Sequence, residues 1–206
     1  MKRNRSLTYS DENPIYFITS TVTEKLPIFF DNVLCKIILE NLDFYRKKLG
    51  FAVCGYVIMP THIHLLLQQL GNKNISEFMK GVKEFSSKQI IEHLKKQVGS
   101  GDPTLTTTAH VPVRSPDLTA KKLLKEFQES AIRYKQKHKY HVWEERFDDA
   151  LVWSDEQFNI KLDYIHDNPC KEPWNLVNEP QEYKYSSARN YFLDDDLMFK
   201  IDRLEM

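Results

Sequence analysis

The stretch FAVCGYVIMPTHIHLLLQQ (51–69) constrains the fold more than any other part of the chain. Two apolar, β-prone runs, 51–59 and 62–69, flank the dipeptide Pro60-Thr61. Proline cannot continue a strand ladder and favours a turn, so the two runs read as an antiparallel hairpin with a tight connection. An antiparallel pair of this length needs further strands or helices to bury its apolar faces. The second run also carries two histidines, His62 and His64, one residue apart. Apolar strands do not usually carry a His-X-His pair for packing reasons.

The flanking segments supply partners for the hairpin. Residues 15–23, IYFITSTVT, are β-branched and aromatic, as a strand requires. Asp31 is placed to cap a helix in which Val33, Leu34, Ile37, Ile38, Leu42 and Tyr45 follow helical spacing, with Gly50 as its stop. A second helix is expected from about Asn74 to Lys96, and another from about Ser115 to Lys137. Between them, residues 99–118 are rich in Gly, Pro, Ser and Thr and read as an exposed loop. HVWEERFDDALVW (141–153) reads as extended, and DEQFNIKLDYIHDN begins a last helix at Asp155 that must end near Asn168, before Pro169. The order β-α-β-β-α predicts an α+β fold: an antiparallel sheet with helices on one face.

At 206 residues the chain is expected to be a single domain, 1–206, with an insertion at about 97–138. Hydrophobic residues make up 41%, enough for a core and against global disorder. No apolar run is long enough to suggest a membrane span, and the basic N-terminus lacks the apolar segment of a signal peptide. Three scattered cysteines, Cys35, Cys54 and Cys170, fit neither a disulfide framework nor a CxxC zinc site, and suit a cytoplasmic protein. The charge is balanced, with 29 basic and 29 acidic residues, so no global excess points to nucleic acid. Locally, residues 121–140 carry seven Lys or Arg against two Glu. That stretch is either a phosphate-binding face or a solvated helix. Neither a GxxxxGK[ST] phosphate loop nor a helix-turn-helix or zinc-finger signature is present.

On a strand, His62 and His64 project to the same face, so two imidazoles can share one divalent ion. The alternative for a bare His-X-His is the solvated face of a half-exposed strand, and two ligands hold an ion weakly. Partners of suitable chemistry occur in LDYIHDNP (162–169). Tyr164 and Asn168 are four apart and share a helical face. The asparagine carbonyl suits a hard metal, and a phenol beside a metal-bound phosphate can act as a nucleophile. An ordinary core tyrosine is the competing reading. Lys80 and Lys83 form a polar stripe with Ser87 on the second helix, and Arg146 could clamp a phosphate; solvent exposure and an ion pair with Glu144 or Asp148 are the alternatives. The three tryptophans read as core residues.

MPTHIH (59–64), ERF (145–147), YIHDNP (164–169) and YKYSSARNY (183–191) follow in this order. Together they resemble the motifs of the REP-associated tyrosine transposases, a branch of the single-tyrosine HUH transposases. The resemblance runs from about Tyr16 to Tyr191. It implies a ferredoxin-like fold, a divalent Mg or Mn ion, and cleavage and rejoining of single-stranded or hairpin DNA. By position it implies His62 and His64 as metal ligands, Asn168 as the third, and Tyr164 as the nucleophile that forms a 5′-phosphotyrosine and frees a 3′-hydroxyl. A non-catalytic DNA-binding module of the same fold, or a metal phosphodiesterase using a bound water, are the rival readings. Relatives include dimers and monomers, so a homodimer stays open. Two departures are visible. After the RF pair the family often has an acid followed by His, whereas this chain has Asp149 and then Ala150. Residues 97–138 also lengthen a segment that is shorter in many members, and either add nucleic-acid contacts or form a solvated hairpin.

Overall fold

The computed structural model describes residues 13–100 and 119–203. Strand β1 (Ile15–Thr21) is followed by helix α1 (Asn32–Leu49), the hairpin strands β2 (Phe51–Met59) and β3 (His62–Gln69), and α2 (Ile75–Ser100). Then come α3 (Ala120–Arg133), β4 (Asp148–Val152), α4 (Asp155–Asp167) and the short α5 (Ala188–Phe192). The four strands form one antiparallel sheet in the order β2-β3-β1-β4. This is the ferredoxin-like α+β arrangement, with β1-α1-β2 straddling β3.

Local signals place these elements where the sequence indicates. The Asp31 carboxylate accepts from the Val33 N–H at 2.8 Å and starts α1. Gly50 ends α1 at φ 72°, a left-handed conformation that suits glycine, and donates its N–H to the Arg46 carbonyl. Pro60-Thr61 joins β2 to β3, as expected. Helix α2 runs to Ser100, four residues past the expected end, and α3 ends at Arg133, four residues before the expected end, while its expected start at Ser115 lies outside the described residues. The bulk of the Gly/Pro-rich loop lies outside the described residues.

The sheet separates two cores. On one side α1, α2 and α3 pack through Leu34, Ile38, Phe78, Val82, Leu123 and Phe127 against Ile18, Ile63 and Leu65. Helix α3, which carries much of the basic stretch, thus buries its apolar face in the main core. On the other side α4 brings Phe158, Leu162 and Ile165 against Ala52, Cys54, Val57 and Leu66. Helices therefore cover both faces, where the sequence pattern suggested one. The reason lies in β2, which is buried along its whole length. The register shifts between Val53 and Gly55, so Val53 and Tyr56 face the main core while Cys54 and Val57 face α4. Burial of each large apolar side chain on α4 contributes about 1.5–3 kcal/mol, which docks the helix firmly.

The outer edge of β2 is not open. Ile58 donates its N–H to the Tyr185 carbonyl and Ser187 donates to the Tyr56 carbonyl, both at 2.9 Å. The Tyr183 and Tyr191 hydroxyls donate to the carbonyls of Ile58 and Cys54, both at 2.8 Å. Further along, Val53 and Asp202 exchange bonds of 2.9 Å. The YKYSS stretch and the tail beyond it thus satisfy an edge that would otherwise invite pairing with another chain.

Candidate metal and nucleophile site

Alternation along two strands builds one polar row on the α4 face of the sheet. His62 and His64 on β3 point there, as does Thr19 on β1, which lies opposite His64 in the register. The Nε2 atoms of His62 and His64 are 3.1 Å apart. Each Nδ1 meets a threonine hydroxyl, Thr61 Oγ1 for His62 and Thr19 Oγ1 for His64, both at 2.9 Å. Hydroxyls in that position orient an imidazole and fix which nitrogen faces the ligand.

Burial pushes His62 down to about 4, with Lys25 adding in the same direction. His64 is pushed down to about 3 by burial, then by His62 and Lys161, against a hydrogen bond to the Ile18 backbone. Both rings are therefore neutral at physiological pH and can offer a lone pair. Two nitrogens at about 2.1 Å from a shared ion lie about 3.0–3.4 Å apart for octahedral to tetrahedral angles. The observed separation falls in that interval, so the pair fits a divalent ion. Among the described residues no third His, Cys, Asp or Glu completes the set.

Tyr164 stands beside the pair. Its ring meets His64 edge-on at a centroid distance of 5.2 Å and meets Phe17 edge-on at 5.8 Å. Phe17 in turn stacks on His64 at 5.4 Å and 18°. Tyr164 is 43% exposed, which excludes the core reading. Asn168 follows one turn later, its N–H bonded to the Tyr164 carbonyl. Its side-chain amide makes no hydrogen bond to a described residue, so its carbonyl is available. The contacts of the site do not join it to the histidines.

The remaining candidates lie elsewhere. Lys83 is tied down, donating to the carbonyls of Glu144 and Glu145 at 2.6 and 3.0 Å, and burial lowers it to about 8. It is thus a bracket for the 144–147 segment rather than a free stripe residue. Lys80 lines a groove of about 950 Å³ between α2 and residues 136–147, on the side of the sheet away from the histidines. Arg146 is exposed and forms no ion pair with a described carboxylate, so neither Glu144 nor Asp148 holds it. Trp143 is buried as expected, Trp174 is half-buried, and Trp153 is 62% exposed because it leaves β4 at the open edge of the sheet. Sequence reasoning missed Phe17, Thr19, Thr61 and Lys161. Only the i, i+2 alternation of Phe17 and Thr19, and the place of Lys161 one turn before Tyr164, hinted at them.

Residues 13–101 match the sequence pattern of the family described as transposase IS200 like. No curated protein matches the chain. Among solved structures, a REP-associated tyrosine transposase bound to a REP hairpin has a TM-score of 0.57 and 12% identity. The match covers 98% of this chain and 94% of that one. A Deinococcus radiodurans protein assigned as a transposase covers 67% of this chain and 100% of its own at 20% identity, but its TM-score of 0.36 is too low to carry weight. No helix among the described residues is long and apolar enough to cross a membrane. Residues 13–101 are thus similar in sequence to the IS200-like transposases, and nearly the whole chain shares the fold of the hairpin-bound transposase.

Proposed function

We propose that the chain is a DNA transposase that cleaves and rejoins single-stranded or hairpin DNA through Tyr164. The observation that carries this reading is the convergence of the His62 and His64 Nε2 atoms at 3.1 Å with the Tyr164 ring against His64. The family match and the hairpin held by the structurally similar transposase support DNA as the partner.

His62 and His64, with the Asn168 carbonyl, would hold a divalent ion, Mg or Mn. When bound, such an ion polarises a phosphoryl oxygen and offsets the charge that develops on it. The chain's own residues do the rest. Thr61 and Thr19 hold the imidazoles in the required orientation. The Tyr164 phenol gives its proton to solvent, and its oxygen attacks the phosphorus of a diester. A bond from phosphorus to the tyrosine oxygen forms while the bond to the 3′-oxygen breaks. The departing oxygen takes up a proton and leaves as a free 3′-hydroxyl. Attack by a 3′-hydroxyl on the 5′-phosphotyrosine reverses these changes and rejoins a strand. The energy of the diester is kept in the phosphotyrosine bond, so no nucleotide cofactor is required.

The test is a pool of hairpin oligonucleotides with randomised single-stranded flanks, incubated with the protein and Mn²⁺. The expected result is a covalent adduct that survives denaturing electrophoresis, absent in Tyr164→Phe and His62→Ala and suppressed by chelator. Cleaved ends without attached protein, unaffected by Tyr164→Phe, would instead indicate hydrolysis by water. Binding with no cleavage would indicate a non-catalytic module.

A further inference from the structure

Lys161 lies on α4, one turn before Tyr164. Its Nζ stands 4.6 Å from the centroid of the Phe17 ring, the same ring that stacks on His64 and meets Tyr164 edge-on. Its charge also lowers His64, as the smallest of the influences on that ring. The lysine makes no ion pair with a described carboxylate, although α4 carries several acids. The other lysine near this helix, Lys171, is paired with Asp167 at 3.2 Å. A cation held over an aromatic face is partly desolvated and keeps its hydrogen-bonding capacity for a ligand. Three donors on a short rotatable tip suit a non-bridging phosphate oxygen, and the ring under the stem limits where that tip can go.

We propose that Lys161 holds a non-bridging oxygen of the scissile phosphate, on the Phe17 side of Tyr164. This rests on Tyr164 being the nucleophile. Two cationic centres would then act on the phosphate, the metal site through His62 and His64 and the ammonium of Lys161. As negative charge builds on the phosphoryl oxygens during attack, the Lys161 contact strengthens more than it does in the ground state. The lysine acts on the rate more than on DNA affinity, because many other phosphates in the strand contribute to binding.

The experiment compares wild type, Lys161→Met, Lys161→Arg and Tyr164→Phe in single-turnover adduct formation, over a range of hairpin concentrations with Mn²⁺. Methionine keeps an unbranched apolar stem over Phe17, so its melting temperature should match wild type. The rate at saturating DNA should fall about a hundredfold in Lys161→Met, with a much smaller change in the half-saturating concentration. Arginine should restore a large part of the rate. A wild-type rate in Lys161→Met, with Tyr164→Phe inactive, overturns the role of Lys161 and leaves the nucleophile assignment standing. A lowered rate that tracks a lowered melting temperature and is not restored by arginine also overturns it, since that is the signature of packing. An adduct in Tyr164→Phe equal to wild type removes both readings at once.

Discussion

The position of Tyr164 depends on an absent side chain in β2, directly beneath α4. A Cβ at Gly55 would lie 2.8 Å from Leu162 Cδ1 on α4, where ordinary contact begins at 3.4 Å. Leu162 is 2% exposed and packed among Phe158, Ile165 and Leu66, so its methyl has little room to rotate away. In Gly55→Ala the helix must therefore lift from β2 by roughly 0.6–1.2 Å, the gap between the clash and a relaxed contact. Overpacking of this size costs about 1–3 kcal/mol, or roughly 2–4 °C of melting temperature per kcal/mol for a chain of this length. Tyr164 rides on the same helix, so its ring moves from His64 by a similar amount. A misplacement near 1 Å at a reacting group can cost on the order of 10²-fold in rate. Single-turnover adduct formation and thermal melting of the same preparation measure both effects. Replacing Leu162 with Val removes the clashing methyl. The double variant should therefore recover rate relative to Gly55→Ala, although Leu162→Val alone costs about 1 kcal/mol by analogy with other buried single-methylene losses. A wild-type rate and melting point in Gly55→Ala would refute the reasoning, as would the absence of any coupling in the double variant.

Other consequences can be checked more directly. Ser187 Oγ accepts from the Tyr56 N–H and pairs with His166 Nε2, both at 3.0 Å and buried. Ser187→Ala should cost about 1–3 kcal/mol in denaturant unfolding, since it strands a buried donor; an unchanged midpoint would contradict that role. Mn²⁺ should raise the melting temperature of wild type but not of His64→Ala, with about 2.7 kcal/mol of stabilisation at a hundred times the dissociation constant. Equal shifts in the two proteins would place the ion elsewhere. Burial lowers His166 to about 4 from its ordinary 6.5, so the unfolded chain binds a proton before the folded one does. The stability this preserves is complete above pH 6.5 and drains away as pH falls towards 4, by about 3 kcal/mol. His166→Gln should flatten that acid limb in melts taken across the window, and an identical limb would exclude His166 as its source.

Much of this architecture is readable from local chemistry. Asp31, Gly50 and Pro60-Thr61 announce a helix start, a helix stop and a turn because each satisfies or interrupts backbone bonding within a few residues. The shared face of His62 and His64 follows from strand alternation alone. What escaped depends on register and on distant neighbours. Parity fails across the Val53–Gly55 irregularity in β2, which hides the second apolar face and with it the side on which α4 docks. Lys83 looks like a solvent-facing stripe residue until the 144–147 segment folds over it. Thr19 and Phe17 join the site only through the pairing of β1 with β3.

The covering of β2 by residues 183–202 has a bearing on how the molecule comes into being. During synthesis, β1, α1 and the hairpin emerge long before Tyr185, Ser187 and Asp202. Until those residues leave the ribosome, the outer backbone groups of β2 face water or any strand that happens by. The helix that bears Tyr164 needs β2 in its finished place, because Gly55 and Leu66 form the surface it lands on. Assembly of the candidate site thus waits on the last stretch of the described chain. A product that stops before it would carry the histidines, the tyrosine and every catalytic candidate, yet lack the clasp that holds them in register.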